Sequence, residues 1–335
     1  MINKSDILTD SFGRRHTYLR ISLTERCNLR CLYCMPKEGV ELTPKKHLMQ
    51  SNEIIYLAKL FVKHGVNKIR LTGGEPLIRK DFPEIVRKLS KLPVDLSITT
   101  NAVIVNKYLD LLQECNIKTL NVSLDTLNEK RFKAITLRNN FKHVIQNIQE
   151  LLKQGFNIKI NAVLMKGVND DEIINFINFT KNRNIVFRFI EFMPFVGNKW
   201  KRDKIVSYES ILNIVKNHFG EEKLIFLGNK IHDTSRNFKI KDFQGSFGII
   251  STVTNPFCDQ CNRIRLTADG KIKNCLFSSK EKDLLTTLRE GNPIESIISR
   301  AILNKKSVRS GMKTSEDFEN TKNHNENRSM ITIGG

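Results

Sequence analysis

The chain has 335 residues, 40% of them hydrophobic, which is enough to bury a full core and suits one large domain with a smaller one appended, not a disordered chain. A formal net charge of +20 calls for an anionic partner, and nucleic acid, an acidic membrane surface and a phosphorylated small molecule all qualify; part of the surplus reads as solvated surface, so only clustered Arg and Lys count as signal. Met1 to Arg20 has no apolar core of signal-peptide type and no run of about 18 apolar residues occurs, so a soluble, cytoplasmic protein is expected, whose seven cysteines stay reduced and serve metal binding.

From Tyr18 to Met193 short β-branched runs alternate with amphipathic helical stretches, the pattern of parallel strands joined by crossover helices. Strands are predicted over Tyr18–Thr24, Val66–Thr72, Asp95–Asn101, Lys118–Asp125, Asn157–Met165 and Ile185–Met193. Ser51 is placed to cap a helix ending at Gly65, Asp81 with Glu84 resembles a capping box, and Asp170 precedes a helix ending near Arg183. A closed barrel takes eight βα units in about 250 residues, so six units here predict an open, partial (βα)6 TIM-like barrel over residues 1–205. The less periodic residues 206–312 are expected to close it. The polar residues 313–335 read as a flexible tail that delivers the short run Met330-Ile331-Thr332-Ile333 and then Gly334 and Gly335.

The first cysteine group, Cys27, Cys31 and Cys34, has the spacing C-x-x-x-C-x-x-C with Tyr33 before the last thiol, directly after the first strand. Three thiolates on a 4Fe-4S cluster leave one iron open to a substrate or cofactor. A zinc site is the competing reading, but His47, the nearest extra donor, sits at no zinc-finger spacing. Thr72-Gly73-Gly74-Glu75-Pro76 follows the second strand, where two glycines let backbone atoms approach a ligand closely. Active sites in barrels gather at the C-terminal strand ends, and polar residues recur there: Thr99-Thr100-Asn101, Ser123 and Asp125, Lys159 and Asn161, Arg188 and Glu191. The second group, Cys258, Cys261 and Cys275, is again a set of three, and the second C-x-x-C of a zinc ribbon is missing. Arg263 and Arg265 alternate between its cysteines so that both can face one side of an extended segment, a pair suited to phosphate. Cys115 stands outside both groups and reads as a buried apolar thiol.

The three-cysteine spacing with its aromatic residue resembles the radical SAM (S-adenosylmethionine) superfamily. Phe257 to Leu266, F-C-x-x-C-x-R-x-R-L, with a terminal Gly-Gly, narrows the resemblance to the GTP 3',8-cyclase family. The likeness spans nearly the whole chain, through Leu19-Arg20-Ile21-Ser22, Ile69 to Leu77, Asn121 to Asp125 and Arg188 to Met193.

That resemblance implies two 4Fe-4S clusters, on Cys27, Cys31 and Cys34 and on Cys258, Cys261 and Cys275. It makes Tyr33, Gly74, Ser123 and Met193 contacts of SAM, with Asn161 and Arg188 supporting, and makes Arg20, Arg70, Thr99, Lys159, Arg263, Ile264 and Arg265 contacts of GTP. Gly334 and Gly335 would reach the catalytic centre and be needed for cyclisation. The implied reaction cleaves SAM reductively, takes a hydrogen from C3' of the GTP ribose and joins C3' to C8 of guanine, the first step of molybdenum cofactor (molybdopterin) biosynthesis. Implied partners are an electron donor and a downstream cyclic pyranopterin monophosphate synthase, with a homodimer left open and neither nucleic acid nor membrane expected. Two departures from the family pattern stand out: Ala102 replaces the glycine of Thr-Thr-Asn-Gly, and no histidine follows Lys305-Lys306 before Gly311. Two other readings compete. A radical SAM peptide-modifying enzyme would need more C-terminal cysteines, and a basic zinc protein binding RNA would need a basic stripe interleaved with aromatics, which is absent.

Overall fold

A computed structural model describes residues 6–35, 39–314, 316–323 and 326–334. Six parallel strands follow one another in chain order: β1 (Tyr18–Ser22), β2 (Lys68–Thr72), β3 (Asp95–Thr100), β4 (Thr119–Ser123), β5 (Asn157–Leu164) and β6 (Ile185–Glu191). Between them run α1 (Ser51–Lys63), α2 (Phe82–Leu89), α3 (Leu109–Glu114), α4 (Glu129–Thr136), α5 (Phe141–Lys153) and α6 (Ile173–Asn178). β2 ends at Thr72 as expected, and the other five strands end a residue or two before their expected limits, where the chain turns into the loop that carries the polar residues.

The α/β sheet is open, as six units require. Its two edges are extended by the C-terminal third instead of being bridged directly. After α7 (Tyr208–Phe219), the meander β7 (Leu224–Phe226), β8 (Arg236–Ile240) and β9 (Ser246–Ile250) lays β9 parallel to β6. At the other edge β10 (Arg263–Leu266) lies parallel to β1, followed by antiparallel β11 (Lys271–Lys273) and β12 (Lys282–Asp283). Two helices, α8 (Leu285–Arg289) and α9 (Glu295–Leu303), complete this part, and α10 (Met330–Ile333) ends the described chain.

Alternation along the strands divides the two faces of the sheet. Leu19, Ile21, Ile69, Leu71 and Ile98 are fully buried against the helices, each contributing about 1.5–3 kcal/mol by burial. The intervening Arg20, Arg70, Thr99, Asn121, Lys159 and Arg188 turn inward, away from that apolar layer.

The helix starts depart in part from the expected caps. Ser51 is the first helical residue of α1, while Gln50 takes the cap position and its N–H donates to Glu53 at 2.7 Å in a capping box. Asp81 precedes α2, yet its carboxylate accepts from Arg79 Nε at 2.7 Å and makes no cap bond. The helix expected to reach Arg183 begins as a 3-10 turn at Asp170 and ends at Asn178.

The tail also differs from its expectation. A single aromatic, Phe318, is fully buried 5.2 Å from the Phe277 ring. Arg328 donates to Asp269 at 2.7 Å and lies 2.8 Å from Glu281, and Asn327 accepts from the buried Lys273 at 2.8 Å. Polar partners thus do for this segment what apolar burial does elsewhere, a signal that hydropathy does not carry.

Ahead of β1, residues 6–16 form a tight hairpin in which Phe12 and Arg14 backbone N–H groups donate to Asp10 Oδ1 at 2.9 and 3.0 Å. His16 is fully buried with Nε2 3.2 Å from Asp10 Oδ2. Burial pushes its imidazole from 6.5 down to about 3, with Lys305 adding to the shift and Asp10 opposing it. Between these values the unfolded chain binds a proton that the folded chain does not, so stability is full above 6.5 and declines as pH falls through the window. The expected loss is about 2 kcal/mol between about pH 6.5 and about pH 5. Denaturant unfolding should show that loss in the wild type and a flatter profile in His16→Gln; equal slopes would exclude His16 as its source.

Candidate active site

The loop after β1 carries Cys27, Cys31 and Cys34 across the C-terminal ends of the strands. It is anchored on both sides: Gly74 and Glu75 N–H groups donate to the Thr24 and Arg26 carbonyls at 2.7 and 2.8 Å, and Arg30 and Leu32 N–H groups donate to Thr136 and Ile135 carbonyls at 3.0 Å each. A Cβ on Gly73 would stand 2.6 Å from Thr24 O, and one on Gly74 2.3 Å from Arg26 O. The Gly-Gly pair is therefore demanded by the backbone of the cysteine loop as well as suited to a ligand's close approach.

Glu75 holds the next turn in place. Its buried carboxylate accepts from Leu77 N at 3.1 Å, Thr100 Oγ1 at 2.8 Å and Asn101 N at 2.7 Å, and burial pushes it up to about 7 against those bonds. Ala102, next in that turn, has φ 58°, the left-handed conformation that costs an L-residue about 1–2 kcal/mol. Across the rim Tyr33 Oη donates to Asp125 Oδ2 at 2.8 Å, and Val163 N donates to Asp125 Oδ1 at 2.8 Å.

These elements surround one chamber with three lobes. The first is lined by the three cysteines together with Tyr33, Gly74, Ser123, Asn161 and Met193. The second runs from Arg20, Arg70 and Arg188 to Arg263, Arg265 and Cys258, Cys261 and Cys275. Thr99, Asn161, Met193 and Met330 border both. The third lies at the N-terminal strand ends, where Lys159 and Lys68 join the same arginines beneath the turn of residues 227–235. Ile264 is the exception among the expected contacts. Alternation turns its side chain into the apolar core, 1% exposed, so only its backbone could meet a nucleotide.

The sulfur sites differ electrostatically. Burial pushes Cys27 up to about 11, Cys34 up to about 12 and Cys31 well above its ordinary value, with Glu75 adding to it at Cys27 and Asp125 and neighbouring thiols at the other two. Thiolates there need added positive charge, which iron supplies. At Cys261 burial acts the same way, but Arg263 and Lys305 outweigh it and bring the thiol to about 6. Among the described residues no three His, Cys, Asp or Glu side chains are gathered tightly enough to hold a single metal ion; the thiols line the walls of a wider space, and the donor set fits a cluster. His47 is exposed and apart. Cys115 is buried at the end of α3, as expected.

The chamber's middle is crowded with cations. Arg20 stands opposite both Arg70 and Arg265 in register, and Arg265 opposite Lys273, an arrangement of like charges that destabilises a sheet when left alone. Burial pushes Arg20 down to about 10 and Arg188 down to about 9, Arg70 adding to both. The Nε atoms of Arg20, Arg70 and Arg188 and the Asn161 Oδ1 are buried without a hydrogen-bond partner among the described residues. Tyr18, which no motif marks, lies under Arg20, Arg70 and Lys68, each 5.3–5.6 Å from its ring. Buried donors of this kind call for acceptors, and a polyphosphate supplies them.

From the C-terminal side α10 enters the chamber. Met330 lines two lobes, and Gly334 has φ 87° with its carbonyl accepting from Arg265 Nη1 at 2.6 Å. A Cβ there would stand 2.7 Å from Thr72 Oγ1 and 2.9 Å from Ser22 Cβ. Gly335 lies outside the described residues.

Residues 21–180 match the model of the radical SAM superfamily, and residues 185–310 match that of Molybdenum Cofactor Synthesis C. The chain is 48% identical over 337 residues to the mitochondrial GTP 3',8-cyclase of Arabidopsis thaliana, a match covering 99% of this chain and 84% of that one. It is 44% identical to the GTP 3',8-cyclase of Listeria monocytogenes, covering 89% and 91%. It is also 47% identical to Molybdenum cofactor biosynthesis protein 1 of Drosophila melanogaster, of whose length it spans 55%. Among solved structures, Streptococcus suis SuiB bound to S-adenosylmethionine is similar in fold, with a TM-score of 0.58, 18% identity, and coverage of 82% of this chain and 65% of that one.

Proposed function

Because the chain belongs to the GTP 3',8-cyclase family of the radical SAM superfamily, we propose that it converts GTP to (8S)-3',8-cyclo-7,8-dihydroguanosine 5'-triphosphate in the first step of molybdenum cofactor biosynthesis. The observation that carries the reading is one chamber that joins two cysteine triads through a row of buried, partnerless arginine donors. Cys27, Cys31 and Cys34 would hold one 4Fe-4S cluster and Cys258, Cys261 and Cys275 the other, with SAM beside Tyr33, Gly74, Ser123 and Met193. When bound, the first cluster and SAM together supply the 5'-deoxyadenosyl radical that takes the hydrogen from C3' of GTP.

The chain's own work is orientation. Arg20, Arg70 and Lys159 grip the triphosphate at the N-terminal strand ends, joined by Arg188, expected beside SAM but lining the second and third lobes and not the first, and Arg263 and Arg265 hold the nucleotide toward the C-terminal triad. The ribose then falls beside Thr99 and Asn161, the residues that border both lobes. Gly334 closes the space next to Ser22 and Thr72, excluding water from the reacting carbon.

The reading also calls for a one-electron donor and for a cyclic pyranopterin monophosphate synthase that consumes the product, and it allows two copies to pair. Seven free cysteines support a reducing, cytoplasmic setting, and among the described residues no helix is long and apolar enough to cross a membrane. The peptide-modifying alternative rests on a likeness of fold alone, and the family matches favour the nucleotide reading over it and over a zinc protein that binds RNA.

The deciding experiment is anaerobic purification and reconstitution with iron, sulfide and zinc analysis, followed by GTP and SAM and identification of the nucleotide product; zinc in place of iron, or GTP left unchanged, would overturn it. Within the site, Arg263→Ala and Arg265→Ala should each weaken GTP binding by about 1.5–3 kcal/mol, the range for a lost charged contact, with both clusters still assembled. Calorimetry giving wild-type affinity for both variants would return these residues to ordinary surface charge.

A further inference from the structure

Lys305 lies just beyond α9 and is 4% exposed. Its Nζ is 3.4 Å from Cys261 Sγ and donates to the Arg263 carbonyl at 3.0 Å. No carboxylate among the described residues lies within 4.0 Å of it. A buried ammonium needs negative charge beside it, and among the described residues the group at hydrogen-bond distance that can carry one is the Cys261 sulfur, which also accepts from Arg263 Nη2 at 3.6 Å.

The loop that presents Lys305 is pinned from the N-terminal hairpin. Arg14 Nη1 donates to the Ser307 carbonyl at 2.7 Å and to the Cys258 carbonyl at 2.8 Å, Nη2 donates to the Lys306 carbonyl at 2.9 Å, and Nε is held by Asp10 at 2.7 Å. One guanidinium, 244 residues from Cys258 and 293 from Ser307 in sequence, thereby fixes the residues after Lys305 to the first ligand of the C-terminal triad.

We propose that Lys305 is a charge partner of the C-terminal cluster alongside Arg263, donating a charge-assisted hydrogen bond to the Cys261 ligand and raising that cluster's reduction potential, with Arg14 as the residue that positions it. The proposal rests on the reading of Cys258, Cys261 and Cys275 as cluster ligands. Hydrogen bonds to ligand sulfurs and local net charge are two of the levers that set iron-sulfur potentials. An added electron is stabilised by a fixed cation at hydrogen-bond distance. Around the N-terminal triad the donors are uncharged, Leu29 N at 3.4 Å and Asn101 Nδ2 at 3.7 Å from Cys27 Sγ, and the carboxylate of Asp125 is held at that rim by Tyr33. The chain thus sets the two clusters apart, the easier to reduce on the substrate side and the stronger reductant beside SAM.

The test uses the full chain with Cys27, Cys31 and Cys34 all replaced by Ala, so that one cluster gives the whole signal. Iron and sulfide analysis comes first: an empty background defeats the ligand reading itself. With the cluster present, dithionite titrations followed by electron paramagnetic resonance compare Lys305, Lys305→Met and Lys305→Arg. Lys305→Met should lower the ratio of reduced to oxidised cluster about tenfold at a given potential, equivalent to about 59 mV for one electron. Lys305→Arg, which keeps the charge, should stay within about twofold of the background, and Arg14→Gln should fall between. A loaded Lys305→Met with an unchanged midpoint overturns the proposal. Should Lys305→Met fail to load, Lys305→Arg decides, since equal failure to load makes the residue structural and overturns it as well. An unchanged midpoint in Arg14→Gln removes Arg14 from the positioning role.

Discussion

Gly334→Val should abolish cyclisation while both clusters remain loaded and GTP still binds. The substituted residue cannot keep φ 87° without strain, and its Cβ would collide with Thr72 Oγ1 and Ser22 Cβ at 2.7 and 2.9 Å. Thr72 and Ser22 are paired ends of neighbouring strands and cannot retreat, so the tail must withdraw and Arg265 loses the Gly334 carbonyl. Misplacement by about 1 Å at a catalytic centre costs on the order of 100-fold in rate, and a withdrawn tail also admits water. Product formation should therefore fall by at least about 100-fold, while SAM cleavage continues uncoupled from it. Chromatographic measurement of 5'-deoxyadenosine against cyclised nucleotide separates the two, and full cyclisation by the valine variant would sink the idea.

The other large effect is expected at the first triad. Replacing Cys27, Cys31 and Cys34 by Ala should halve the iron content and end SAM cleavage, since no other thiol among the described residues lines that lobe. Glu75, Asp125 and Tyr33 remain as oxygen donors, but they are hard ligands and hold iron-sulfur clusters poorly. Iron retention at the wild-type level, or residual SAM cleavage, would show that the first triad is misassigned.

Much of this was legible before any fold was known. The six parallel strands follow from β-branched runs alternating with amphipathic stretches, and the cysteine triads from spacing alone. What escaped depends on contacts between segments distant in sequence. Glu75 looks like part of a glycine-rich ligand motif, yet its carboxylate serves Thr100 and Asn101. Lys305 sits in a plain basic pair and becomes notable only beside Cys261. Tyr18 reads as the start of a strand until three cations close over its ring. Alternation did mark Arg263 and Arg265 as sharing a face, and the same rule should have turned Ile264 away from the nucleotide. The polar tail misled for a related reason: its ion pairs with Asp269 and Glu281 leave no trace in local hydropathy.

The placement of β10 beside β1 has a consequence for the birth of the protein on the ribosome. The outer edge of β1 is synthesised at Tyr18, but the strand that covers it begins at Arg263, so at about 5–20 residues per second that edge stays bare for about 12 to 50 s. The far edge waits too, since β6 is complete well before β9 arrives to pair with it. Throughout that interval the nascent barrel offers unpaired backbone along β1, and along β6 until β9 emerges, the feature that templates aggregation. Holding such a chain apart until its last third emerges is a task for chaperones, and the yield of folded protein should depend on their supply more steeply than on the stability of the finished fold.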